Sequence, residues 1–207
     1  MKIVAPKKLT DTIQNVFTPA PELDKFVKNQ FLNEESKLYN EDHRHLRHAK
    51  IAYLWTNVTN SRGGRDIVAT AEIPRPPAIG GKWARAKWEY QMTEWFGGFT
   101  FDFLITMNAR YISEVKPIVA FATLDHELYH CGQKRDEFGA RLFGKKSGKP
   151  DYTLVAHDVE EFVGIWRRYG AKAGAGDSIQ LAAAAKVKPE IGRADIRKLC
   201  GNCSTNN

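Results

Sequence analysis

Apolar residues recur along this chain with two different periods, and the periods divide it into helices and strands. From Pro21 onward, Leu23, Phe26, Val27 and Phe31 fall at i, i+3, i+4 spacing, which predicts a helix with one apolar face. Asn40 is placed to cap a second, short helix carrying His43, His45 and His48. IAYLWTNV at 51–58 is rich in β-formers, Asn60-Ser61-Arg62-Gly63-Gly64 is a turn signal, and DIVATAEI fills 66–73. These three predict a hairpin, ended by Pro74-Arg75-Pro76-Pro77. Lys82 to Phe96 reads as a helix closed by Gly97-Gly98, with Trp83, Trp88 and Trp95 along it. Trp88 and Trp95, seven residues apart, suit one buried stripe, so core packing is expected for these tryptophans rather than a platform for stacking bases. Phe99 to Met107 (FTFDFLITM) alternates as a half-buried strand does. Pro117 fits the first turn of the next helix and Gly132 its stop. Residues 133–150 predict a mobile loop, and Tyr152 to Tyr169 a final helix with Val155, Val159, Phe162, Trp166 and Tyr169 on one stripe.

Composition narrows the class without naming a function. The 207 residues are 43% hydrophobic and 27% charged, which excludes a disordered or collagen-like chain and permits a substantial core. No apolar run is long enough to span a membrane, and MKIVAPKKLT lacks the apolar stretch of a secretory signal. The cysteines at 131, 200 and 203 do not make a disulfide framework, so a reducing cytoplasm is the expected compartment. The organisation expected is an N-terminal arm at 1–17, one α+β domain at 18–170, and a basic Ala/Gly/Lys-rich tail at 171–207. A net charge of +7, concentrated in the loop from Lys134 to Lys149 and in the tail, permits a nucleic-acid partner.

The chemistry is carried by His126-Glu127-Leu128-Tyr129-His130, an HExxH sequence within a predicted helix. Histidines four apart project from one helical face about one turn apart and can grip one ion. Imidazole suits Zn²⁺, whose catalytic sites keep three protein ligands and an open position. Glu127 stands beside the first ligand, where a carboxylate can act as general base toward a water attacking a carbonyl. The helix is otherwise apolar (Ile118, Val119, Phe121, Ala122, Leu124, Leu128), and polar groups in such a helix need partners. A third ligand must come from elsewhere. His157-Asp158-Val159-Glu160-Glu161 is the obvious source, because His157 and Glu161 share a face of the last predicted helix. His157 is favoured and Glu161 is the alternative.

These segments resemble the putative phage metallopeptidase family. The likeness runs from about Leu23 to Gly170 and rests on LWTN (54–57), GRD (64–66), DFLITMN (102–108), LDHELYHC (124–131) and HDVEEF (157–162). It implies a zincin-like α+β domain of phage or prophage origin, with a small antiparallel or mixed sheet packed on the HExxH helix and a second ligand-bearing helix. It also implies His126, His130 and His157 as zinc ligands, Glu127 as general base, and a peptide or protein substrate. In zincins a strand edge beside the active helix holds the substrate, and Phe99 to Asn108 is the candidate here. Arg168 or Tyr169 could supply the oxyanion donor.

Other signals are weaker. His43, His45 and His48 lie among Arg44, Arg47 and Lys50, which predicts a solvated basic face rather than a metal site. Cys200-Gly201-Asn202-Cys203 lacks the second pair that a structural zinc needs, and Cys131 reads as a small buried residue. The leading expectation is a zinc-dependent metallopeptidase. Its rivals are a zincin-scaffold protein that binds DNA or a host factor, and a zinc amidase acting on non-peptide substrates.

Overall fold

A computed structural model of the chain describes residues 2–62, 65–98, 100–145, 147–157, 178–194 and 199–200. Two compact units make up the chain: residues 1–155 with 194–207, and residues 156–193. In the second unit the described secondary structure is one helix, Ser178–Ala184. Glu161, Arg168, Tyr169, Cys203 and most of the helix expected at 152–169 lie outside the described residues. Among the described residues no helix is long and apolar enough to cross a membrane.

The first unit is α+β and built on a mixed sheet. Its strands are β1 (Phe17–Pro19), β2 (Ile51–Thr56), β3 (Asn60–Arg62), β4 (Arg65–Glu72) and β5 (Phe103–Asn108), in the spatial order β1-β2-β5-β4-β3. A short strand at Leu199–Cys200 adds parallel to β4. The expected hairpin between 51–58 and 66–73 does not form. Asn60–Arg62 pairs antiparallel with β4 instead, and β5 inserts between β4 and β2. β2 and β5 run parallel from Ile51↔Phe103 to Thr56↔Asn108, while β4 and β5 are antiparallel. The reason lies in burial. Both β2 and β5 are enclosed almost continuously along their length, which suits interior strands flanked on both edges.

β5 is therefore not the open edge expected of Phe99 to Asn108; both its edges are occupied. It also starts at Phe103, four residues later than predicted, and Phe99 lies outside the described residues.

Pleating sends alternate β2 side chains to opposite faces. Tyr53 and Trp55 join Phe103, Ile105 and Met107 in the main core. Helix α2 (Pro21–Gln30) packs its Leu23 and Val27 there, with Phe31 just beyond. Ala52, Leu54 and Leu104 form a smaller cluster with Trp95, Phe96 and Phe101. Helix α3 (Gly81–Phe96), stopped by Gly97 at φ +70°, reaches the protein mainly through its C-terminal end. The core packing expected of its tryptophans is met in part: Trp95 packs against the smaller cluster, and Trp83 does not join the core. Trp88 and Trp95 are only partly buried and Trp83 is 89% exposed; Met92 is the helix's buried residue.

The weakly patterned N-terminus is packed. Lys7–Thr10 forms a short helix, α1, and Ile3, Ala5 and Leu9 join the main core. Asn57 holds the following segment, accepting from Val16 N–H and donating to the carbonyls of Thr12 and Gln14. Residues 131–155 also depart from expectation. Cys131–Gln133 (β6) pairs antiparallel with Tyr152–Leu154 (β7), and bridges at Arg135↔Arg141 and Phe143↔Pro150 order part of the intervening stretch. A helix starting at Tyr152 is excluded, since those residues are strand.

Candidate metal centre

Helix α5 (Pro117–His130) follows a short helix, α4 (Ala109–Glu114), whose first turn Asn108 caps by accepting from Tyr111 N–H. Pro117 occupies the first turn of α5, as its fixed φ favours. Val119, Ala120, Thr123, Leu124, Glu127, Leu128 and His130 are buried, so the helix presses most of its surface into the core. Glu127 is fully enclosed and His130 is 2% exposed, whereas His126 is half-buried. The expectation that HExxH lies in a largely buried helix is met.

His126 and His130 stand edge to face with ring centroids 5.0 Å apart. His157 completes a set: one ligand atom from each of His126, His130 and His157 lies within 4.8 Å of the others. Three imidazoles at this separation can hold one metal ion. Glu161, the alternative third ligand, lies outside the described residues.

One ring's orientation is already set. The Nδ1 of His130 is 2.7 Å from the carbonyl oxygen of Val155, which can only accept, so Nδ1 carries the proton and Nε2 is the nitrogen that would ligate a metal. The Val155 N–H donates in turn to the His130 carbonyl at 2.9 Å.

The reading of His43, His45 and His48 as a solvated face fails for two of the three. The segment Glu41–His48 is a 3₁₀ helix with Asn40 accepting from Asp42 N–H at its start. His43 is fully buried, with Nε2 2.7 Å from Asp125 Oδ1. His45 places Nε2 2.7 Å from the Cys131 carbonyl and Nδ1 2.9 Å from the Asp42 carbonyl. Burial lowers the His45 pKa below its ordinary value, outweighing the two carbonyls that favour its cation. The neutral ring donates to one carbonyl at a time. His43 and His45 thus grip the residues just before His126 and just after His130, while His48 is exposed.

Asn40 and Tyr129 tie the same surfaces together. Asn40 Nδ2 donates to Asp125 and to the Tyr129 hydroxyl, and that hydroxyl donates to Asp42. Burial is the main cause that pushes the Tyr129 pKa up to about 12.

A model of the family described as "Putative phage metallopeptidase" matches residues 24–186. The chain belongs to this family. No curated protein and no solved structure matches the chain. The family match spans β2 to β5, α5 and the three histidines, and the donor set fits the metal that a metallopeptidase family implies: three imidazoles, one with its second nitrogen already engaged.

Cys131 is enclosed at the end of α5, its thiol directed at the Glu127 carbonyl. Burial pushes that thiol's pKa well up, and the charge of Glu127 adds to the effect. A protonated, enclosed thiol is a packing group, as expected of it. Sequence reasoning missed Asp125, His43, His45 and Val155 as supports of the motif. The available signal was Asp125, an acid immediately before HExxH in an apolar helix, which needs a partner as much as the histidines do.

Proposed function

We propose that the protein is a zinc-dependent metallopeptidase with a zincin-like domain, hydrolysing peptide bonds in protein substrates. The observation that carries this reading is the convergence of His126, His130 and His157 within 4.8 Å, on a chain whose family is described as metallopeptidase. His126, His130 and His157 would hold the ion. Zinc, when bound, supplies Lewis acidity: it polarises a carbonyl and lowers the pKa of water toward neutrality.

The protein's own groups do the rest. Glu127, next in sequence to His126 and enclosed in the core, serves as general base, taking a proton from the attacking water and returning it to the leaving amine. Val155 holds the His130 ring through Nδ1, which makes Nε2 the ligating nitrogen. The grips of His43 on Asp125 and His45 on Cys131 keep that stretch of α5 from shifting. A reducing cytoplasm suits the buried free thiol of Cys131. The test is Glu127→Gln. It should retain the metal while losing hydrolysis of an unfolded protein substrate by at least about 100-fold, because only proton transfer is removed. Undiminished turnover would place the chemistry elsewhere.

One observation favours a second reading, a zincin-scaffold protein that binds nucleic acid with weak or no proteolysis. Trp83, Lys87 and Tyr90 fall at i, i+4, i+7 on the solvent face of α3, opposite the buried Met92, with Trp83 89% and Tyr90 66% exposed. Exposed rings interleaved with a cation suit stacking on single-stranded bases. Trp83→Ala should then weaken binding of a thymidine oligonucleotide by about 1–3 kcal/mol, and binding should fall steeply with salt. Equal affinity in wild type and variant would remove this reading.

A further inference from the structure

The strand that leaves α5 and the strand that returns to it meet beside the HExxH motif. β6 pairs with β7 through Cys131↔Leu154, Gly132↔Thr153 and Gln133↔Tyr152. Val155, the next residue, engages the last residue of the motif with both its backbone groups. Its N–H donates to the His130 carbonyl at 2.9 Å, and its carbonyl accepts from His130 Nδ1 at 2.7 Å. The first bond satisfies a carbonyl in the last turn of α5, where intrahelical partners run out. The second fixes the ring's rotation and its tautomer.

This clasp depends on an absent side chain. A Cβ built on Gly132 would overlap Val155 Cγ2 and stand 3.5 Å from Val155 Cβ. Gly132 is not among the residues with positive φ, so what it provides is room rather than an unusual backbone conformation.

We propose that Gly132 and Val155 are positioning residues of the metal centre: Gly132 leaves the space in which Val155 clasps His130, and the clasp sets where the chain delivers His157. The proposal rests on the metal-centre reading given above. His157 lies two residues beyond Val155, within about 7 Å of extended chain. With Val155 docked, His157 has a short arc to search. With Val155 released, His157 is tied to His130 only through the long excursion from 131 to 156, and bringing it back carries the entropy of closing that loop. The same displacement frees the His130 ring, so two of the three imidazoles would lose their placement together.

The experiment is zinc titration of the purified, metal-stripped full-length chain against a chromophoric competitor. Gly132→Ala should lower zinc affinity by about 10- to 100-fold, the range of changes that act through a ligand's support. The double variant Gly132→Ala/Val155→Ala removes Cγ2 and leaves an ordinary contact, so its affinity should recover to that of Val155→Ala alone. That recovery would trace the loss to the contact between these two side chains. A second readout needs no metal: the Val155 amide should exchange slowly with solvent in the wild type and fast in Gly132→Ala. Wild-type affinity in Gly132→Ala overturns the positioning role, as does a double variant no tighter than Gly132→Ala. Fast exchange of Val155 in the wild type overturns the clasp itself. A wild-type chain that takes up no zinc overturns the metal-centre reading beneath it, a result distinct from the other three.

Discussion

At the scale of single residues, the HExxH motif is held from outside as well as from within. His43 is enclosed and accounts for one bond to Asp125, the residue before His126. Replacing it with Ala removes a buried ring and leaves a partly buried carboxylate with less support. His43→Ala is therefore expected to cost about 2–4 kcal/mol of stability, read as a shift of the urea midpoint at unchanged slope. A loss within about 0.5 kcal/mol, as for an ordinary surface residue, would contradict the buried grip described here. The role of His43 and His45 was not legible from spacing. On a helix of 3.6 residues per turn, positions i and i+2 diverge, and among arginines they read as solvated. On a 3₁₀ helix they also diverge, but here toward two different parts of α5, Asp125 and the Cys131 carbonyl. Only the tertiary arrangement reveals those partners.

Elements with a strong period were legible, and their neighbours in space were not. Leu23, Val27 and Phe31 mark α2, and Leu124 and Leu128 mark α5, because one buried face repeats every three or four residues. Gly97 ends α3 as expected, since its φ of +70° suits a residue without a Cβ. The strand order is another matter. IAYLWT and FLITMN are both apolar almost throughout, and such a run says that a strand is interior without saying beside which strand it lies. The parallel pairing of β2 with β5 arises across the whole intervening segment, including β4 and α3. Proline distinguishes an interior strand from an edge. Ile105→Pro, in a strand bonded on both sides, should abolish cooperative folding, while Ser61→Pro in the exposed outer strand β3 should leave a folded chain. A folded Ile105→Pro protein by circular dichroism would return β5 to the edge.

At the scale of the whole molecule, the core extends further toward the N-terminus than the pattern there suggested. Leu9 is fully enclosed, Ile3 is 5% exposed, and Arg110 donates to the Thr12 carbonyl from the first turn of α4. Sparse apolar residues in an irregular segment give no period to read, so burial was invisible in the sequence. Removing residues 2–11 would expose the surfaces these side chains cover, at about 1.5–3 kcal/mol for each large apolar side chain. The truncated chain should unfold several degrees lower in a thermal melt, and an unchanged melting temperature would show that the segment is dispensable.

The three-histidine site was legible in its parts. HExxH named two histidines, and His157 was reachable only as a preference over Glu161, because residues four apart on one expected helical face are not distinguished by spacing. The most direct test of the whole account is zinc titration of the metal-stripped chain in wild-type and His157→Ala forms. The wild type is expected to bind about one zinc per chain, and His157→Ala to lose more affinity than the roughly 10- to 100-fold that a supporting residue costs. A wild type that takes up no zinc, or a His157→Ala chain that binds it as tightly as the wild type, would contradict the three-histidine centre.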